Sequence, residues 1–295
     1  FFSFILISGI FLETSLSIIK SFFMNDFEAS ASYTMPVEES AEANQNREEK
    51  EETFRINARA VAAFELNGGE LKVLFNENKE KKLPIASLVK LTTALVVLEK
   101  YDLEEGVTIS DSAILEVGEQ GNLKRGEILS VKNLLYITLI QSSNRAAKAL
   151  SEVIGTENFT ALMNEEAKKL GMKNTYFKDV TGISLNSYGS AEDIAILTAH
   201  LFENYPIFRE IMGLNHYDLY LPNGKLHHRL VSTNQILGDD GIILGKTGFT
   251  NEAMGCFMVM QKNRENGNYI IYVILGAEDR FIEMRKLINK VRAGY

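Results

Sequence analysis

A disulfide framework is excluded at the outset, because Cys256 is the only cysteine in the chain. It sits in Ala253-Met254-Gly255-Cys256-Phe257-Met258-Val259-Met260, an apolar strand-like run, and is expected to be a buried, inert thiol. A lack of disulfides is usual in the cytosol but compatible with export. Positive charge is also short. The 31 Lys and Arg face 39 Asp and Glu, for a net charge of −8, and the basic footprint of a nucleic-acid binder is missing. Between residues 37 and 53, seven glutamates oppose only Arg47 and Lys50, which places −5 of that charge in one stretch. The chain has four histidines and no H-E-x-x-H. Adjacent His227 and His228 are expected on opposite faces of a strand, so neither a metal nor any other cofactor is expected. There is no G-x-S-x-G, which excludes a nucleophile elbow, and no internal repeat is visible.

No uninterrupted run of ~20 apolar residues, the length a spanning helix needs, is found. The first 24 residues come nearest, but Glu13 and Lys20 interrupt them. Residues 1–31 are expected to be a secretory signal, with Ala29-Ser30-Ala31 as a small-x-small cleavage site, or an uncleaved N-terminal anchor in contact with a membrane. Residues 32–56 read as an acidic, solvated linker, and residues 57–295 as the folded domain. An extracytoplasmic location follows, in the periplasm or at the cell surface.

The folded part opens with two β-like runs, 59–66 and 70–76, around an Asn67-Gly68-Gly69 turn, a hairpin pattern. Its middle is helical. Expected helices cover 131–141, 145–153, 157–170, 191–202 with Ser190 as cap, and a short stretch from Pro206 to near Gly213. Three β-like runs, 241–247, 253–261 and 269–275, precede an amphipathic helix over 279–293. Two early and three late strands bracketing helices predict an α+β fold. Its sheet would be mostly antiparallel and five-stranded, beside a helical subdomain.

One lysine is out of place in this pattern. Residues 88–100 are apolar almost all round, as a buried helix is, yet they include Lys90. Ser87 lies three residues earlier, so its hydroxyl and the amine project from one face, a turn apart. Burial disfavours the charged form of lysine, and a neutral amine against a hydroxyl can turn the serine into a nucleophile. S-x-x-K alone is unspecific, since Ser17-Ile18-Ile19-Lys20 matches it too. Lys246-Thr247-Gly248 ends the run 241–247 and offers a cation, a hydroxyl and a residue with no side chain to keep a ligand off the backbone. S-x-N occurs at Ser142-Ser143-Asn144, Ser184-Leu185-Asn186 and Ser232-Thr233-Asn234. Only the first breaks two apolar helices, where side chains can point into a cleft; the others read as loops.

The order Ser-x-x-Lys, Ser-x-Asn, Lys-Thr-Gly resembles the serine penicillin-recognising enzymes. The fuller segments are Ile85-Ala86-Ser87-Leu88-Val89-Lys90-Leu91-Thr92-Thr93-Ala94, Ser143-Asn144-Arg145-Ala146-Ala147 and Lys246-Thr247-Gly248-Phe249-Thr250. They resemble the low-molecular-mass D-alanyl-D-alanine carboxypeptidase/endopeptidase family, as does Leu170-Gly171-Met172-Lys173-Asn174-Thr175-Tyr176-Phe177 followed by Thr181-Gly182. The resemblance implies a three-layer α/β/α fold of the β-lactamase/transpeptidase type. It also implies a penicillin-sensitive peptidase acting on peptidoglycan stem peptides. By its motifs Ser87 attacks a D-Ala-D-Xaa bond with Lys90 as base, and Ser142 relays a proton to the leaving amine. Asn144 orients the acyl side's amide and contacts Lys90; Lys246 and Thr247 hold the terminal carboxylate, and Gly248 continues the substrate-binding stretch. The amides of Ser87 and Phe249 bind the oxyanion. β-Lactams would acylate Ser87.

Three alternatives stay open. One is an endopeptidase cutting cross-links, which Asn144-Arg145-Ala146-Ala147 hints at. A class A-like β-lactamase would need a deacylating glutamate with asparagine four residues later, and no glutamate between Asn144 and Lys246 has one. A non-catalytic penicillin sensor would carry more membrane segments or a signalling domain, and neither is visible.

Overall fold

The computed structural model describes residues 55–294 apart from 119 and 265. The expected export segment at 1–31, and the expected linker at 32–56 save its last two residues, lie outside the described residues. The hairpin is β1 (Ala60–Asn67) and β2 (Glu70–Glu77). Next come α1 (Val89–Lys100), β3 (Gly106–Thr108), α2 (Asp111–Leu115), β4 (Ile128–Ser130) and α3 (Val131–Ile140). The helices α4 (Asn144–Glu152), α5 (Thr156–Lys169), α6 (Ala191–Asn204) and α7 (Pro206–Met212) follow. The chain closes with β5 (His216–Tyr220), β6 (Leu226–Val231), β7 (Ile242–Thr250), β8 (Met254–Lys262), β9 (Tyr269–Ala277) and α8 (Arg280–Arg292).

The main sheet has the order β2-β1-β9-β8-β7, antiparallel throughout. Its central strands are apolar without alternation because both faces are covered. In β1, Ala60, Ala62, Phe64 and Leu66 join the core shared with the helices, while Val61 and Ala63 join the core under α8. In β8, Cys256, Met258 and Met260 take the first side and Phe257 and Val259 the second. Met284, Leu287 and Ile288 anchor α8 to that second face, each worth about 1.5–3 kcal/mol of burial. Helices, sheet and α8 form the expected three layers. Among the described residues no helix is long and apolar enough to cross a membrane.

Helix α1 explains its own composition. Every residue from Val89 to Val97 is buried, because α3, α4, α5 and α6 all pack against this helix. The Ser190 cap forms as expected, its hydroxyl accepting from the Asp193 amide.

Three features differ from the sequence expectation. Strand β7 continues past Lys246-Thr247-Gly248 to Thr250, pairing Gly248 with Cys256 and Phe249 with Gly255. The short β3–β4 pair and the β5–β6 hairpin were not anticipated, although Pro222-Asn223-Gly224 is a turn sequence between two β-like runs. His227 and His228 are not on opposite faces. Leu219 pairs with His228 and Tyr220 with Leu226, so His227 is an extra residue in β6. Such a bulge breaks the alternation of side chains, and the two rings meet with Nδ1 atoms 2.6 Å apart.

Candidate active site

Ser87 lies in a single 3-10 turn, Ala86–Leu88, that leads into α1. Ala86 has φ +46°, a left-handed conformation that side chains disfavour and that surroundings must hold in place. Two glycines supply those surroundings. A Cβ on Gly182, itself at φ +88°, would stand 1.9 Å from the Ala86 carbonyl oxygen, and one on Gly248 would stand 2.9 Å from the Ser87 amide nitrogen. The backbone therefore closes around Ser87 from the loop before α6 and from β7. The second contact brings the chain at Gly248-Phe249 against the Ser87 amide, where the two expected oxyanion donors lie. The Phe249 side chain itself is 58% exposed.

Lys90 is fully buried. Its Nζ lies 2.8 Å from Ser87 Oγ, 2.6 Å from Asn144 Oδ1 and 2.7 Å from the Thr181 carbonyl oxygen. Burial pulls this amine down to about 7, against the opposing pull of Asp179 and Glu116. A neutral amine has two N–H groups and one lone pair. Two of its three neighbours, the amide oxygen of Asn144 and the main-chain carbonyl of Thr181, can only accept. They take the two N–H groups, which leaves the lone pair facing the Ser87 hydroxyl. Asn144 is held in that orientation because its Nδ2 donates to the Val117 carbonyl at 2.8 Å.

Ser142 and Asn144 reach the cleft because α3 stops at Ile140 and α4 starts at Asn144. Ser143 caps α4, its Oγ accepting from the Ala146 amide at 3.2 Å and donating to the Gln120 carbonyl at 2.5 Å. Ser142, at φ +60°, turns its hydroxyl to Lys246 Nζ at 2.6 Å. Lys246 also donates to the Thr247 carbonyl at 2.9 Å. It is fully buried, and burial holds its amine well below the ordinary lysine range, with Lys90 and Arg280 adding repulsion. The site thus has two buried amines, each on a serine hydroxyl.

The structure brings together Ser87, Lys90, Asn144, Ser142 and Lys246, with Thr247, Gly248 and Phe249 continuing along β7. Four contributors were not singled out from the sequence. Thr181 and Asp179 belong to the loop before α6. Thr233 comes from the third S-x-N, which is a loop as expected but accepts from the Thr247 hydroxyl at 2.7 Å. Arg280 opens α8; its buried Nε has no hydrogen-bond partner among the described residues, and its charge reaches Lys246. Ser184-Leu185-Asn186 lies in the same loop as Asp179. Cys256 is buried, and that burial pushes its thiol up to about 11, which suits an inert group.

A family described as D-alanyl-D-alanine carboxypeptidase, peptidase S11, matches residues 44–279. The D-alanyl-D-alanine carboxypeptidase DacF of Bacillus subtilis is 34% identical over 249 residues, which are 79% of this chain and 61% of that protein. A D-alanyl-D-alanine endopeptidase of Pseudomonas aeruginosa is 32% identical over 237 residues, 76% of this chain and 74% of that one. Among solved structures, penicillin-binding protein D2 of Listeria monocytogenes in its ampicillin-bound form is similar at 31% identity and a TM-score of 0.66, covering 79% of this chain and 96% of that one. This chain therefore matches less than two thirds of the length of the Bacillus relative.

Proposed function

Since the chain belongs to the D-alanyl-D-alanine carboxypeptidase family, peptidase S11, we propose that it is a serine-type peptidase that removes a terminal D-amino acid from peptidoglycan stem peptides. The observation that carries this reading is the environment of Lys90. A buried amine has two acceptor-only partners and its third direction on Ser87, as a general base for a serine nucleophile requires.

In the proposed reaction Ser87 Oγ attacks the carbonyl of the scissile D-Ala-D-Xaa bond while its proton passes to Lys90. The amides of Ser87 and Phe249 receive the developing oxyanion. Ser142, hydrogen-bonded to Lys246, relays a proton to the departing amine and is reprotonated at the expense of Lys90, which returns to its neutral form. Lys246, Thr247 and the Arg280 guanidinium, which stacks on the Phe281 ring and has a buried Nε with no hydrogen-bond partner among the described residues, supply the donors that a terminal carboxylate needs. Water then releases the acyl group. A β-lactam would follow the same first step, with its ring amide in place of the peptide, and would stop at the acyl-enzyme. The proposed site of action is the cell wall, outside the cytoplasmic membrane. Residues 1–31 would act as export signal or anchor, and a role in cell shape would follow from trimming the wall.

A second reading, cleavage of cross-links, is favoured by the Pseudomonas endopeptidase, since this chain matches 74% of its length. Incubation with purified peptidoglycan separates the two. Release of free D-alanine from uncross-linked stems supports the first reading, and conversion of dimers to monomers supports the second.

A further inference from the structure

The loop that runs from Phe177 to α6 touches Lys90 yet supplies none of the residues that the three site motifs contribute. At its centre Asp179 collects donors. Its Oδ2 accepts from the Thr181 amide at 3.2 Å, the Thr181 hydroxyl at 2.5 Å, the Gly182 amide at 2.7 Å and the Ile183 amide at 3.1 Å. Its Oδ1 accepts from the Ser187 hydroxyl at 2.6 Å, and Ser187 Oγ in turn accepts from the Lys178 amide at 2.9 Å. One carboxylate thus ties together residues 178 to 187. The turn so formed is seated on the catalytic elements at three points. The Thr181 carbonyl accepts from Lys90 at 2.7 Å, the Val180 carbonyl accepts from the Thr93 hydroxyl at 2.8 Å, and Gly182 lies against the Ala86 carbonyl.

We propose that Asp179 is a positioning residue for acylation: by fixing the 179–183 turn it keeps the Thr181 carbonyl on one N–H of Lys90, and so keeps the Lys90 lone pair on Ser87. This rests on the peptidase reading given above. Without the turn, the second N–H of Lys90 has no fixed acceptor, and the amine can rotate to donate to Ser87 instead of accepting from it. A carboxylate suits the task because one oxygen faces four donors, more than a neutral carbonyl accommodates well. Burial pushes the Asp179 carboxyl up, but the hydrogen bonds from Ser187, Thr181 and Gly182 outweigh it and hold it below the ordinary value. The charge also acts on Lys90 directly. The charged groups facing Lys90 are Asp179 from this loop, Glu116 from the segment after α2, and Lys246 from β7. Loss of the Asp179 charge therefore favours the neutral amine and moves the pH dependence of acylation toward acid.

The test uses the full chain and its Asp179→Asn and Asp179→Ala variants, with acylation by a chromogenic β-lactam followed by stopped flow across the neutral pH range. Asp179→Asn keeps the shape and one acceptor; its midpoint is expected to move toward acid while the maximal acylation rate falls about tenfold. Asp179→Ala frees the turn and is expected to lose about 100-fold, the scale on which a small misplacement of a catalytic group is felt. In both, the loss belongs to the maximal rate and not to the prior binding step. Maximal rates within about threefold of wild type with an unmoved midpoint, or a loss confined to binding, would overturn the proposal. If Asp179→Ala does not fold cooperatively, Asp179→Asn decides alone by the same two readouts. A wild-type chain inert to the β-lactam would overturn the peptidase reading and this role with it. An acylable wild type with unaffected variants would overturn only the role of Asp179.

Discussion

Asn144 Oδ1 lies 2.6 Å from Lys90 Nζ across 54 residues of sequence, so the second and first motifs share one hydrogen bond. Asn144→Ala removes an acceptor-only partner and frees one N–H of Lys90 to turn toward Ser87. Acylation by a β-lactam is expected to slow by about 100-fold or more, the scale of a lost general base, with the fold retained by circular dichroism. An unchanged rate would show that Lys90 is oriented by other groups.

Protonation of Lys90 should set the pH dependence of acylation. Burial brings the amine to about 7, and only its neutral form accepts the Ser87 proton. The rate should therefore rise about tenfold per unit of pH below that value and level off above it. Stopped-flow acylation from acid to mildly alkaline buffer gives the profile directly.

The same group couples to stability with a defined sign. Lys90 is protonated in the unfolded chain up to its ordinary value near 10.4, whereas in the folded protein it is neutral above about 7. In that window the unfolded state binds one more proton, so stability rises with pH by about 1.4 kcal/mol per unit from this group. Below the window both states are protonated, and the burial cost is at its full, constant value. Lys90→Met removes this group's contribution to the slope. Denaturant unfolding of wild type and variant across that window should diverge accordingly.

Arg280→Gln should weaken capture of a substrate carboxylate and leave the nucleophile intact. Steady-state kinetics on a D-Ala-D-Ala peptide are expected to show KM raised about 10- to 100-fold, the worth of one charge-assisted hydrogen bond, with a small change in kcat. A loss in kcat alone would place Arg280 outside the carboxylate subsite.

Much of this arrangement was legible in the sequence. The five-stranded sheet follows from apolar β-like runs at both ends of the chain, and the burial of α1 follows from its all-round apolar composition. Ser87 and Lys90 were readable because a lysine stands in an otherwise apolar helix one turn from a serine, and Lys246 because it ends a β-like run beside Thr247-Gly248. Ser142 and Asn144 were marked by a break between two helices, but their roles came mainly from the family resemblance. Thr181 was unreadable in its role, since it acts through a main-chain carbonyl and no residue type encodes that. Asp179 looked like any loop aspartate, because its donors are mostly backbone amides. Arg280 resembled a surface residue at the start of an amphipathic helix, and only packing beside Gly255 turns it inward. The His227–His228 contact depended on a bulge, an extra residue that a strict two-residue period does not allow for.

The central claim is that Ser87 is the nucleophile, and mass spectrometry after exposure to a penicillin tests it most directly. Wild type is expected to gain the mass of one intact penicillin, mapped to the peptide containing Ser87, and Ser87→Ala is expected to gain nothing while melting as wild type does. A stable adduct in Ser87→Ala, or an adduct of wild type mapped to another residue, would contradict it.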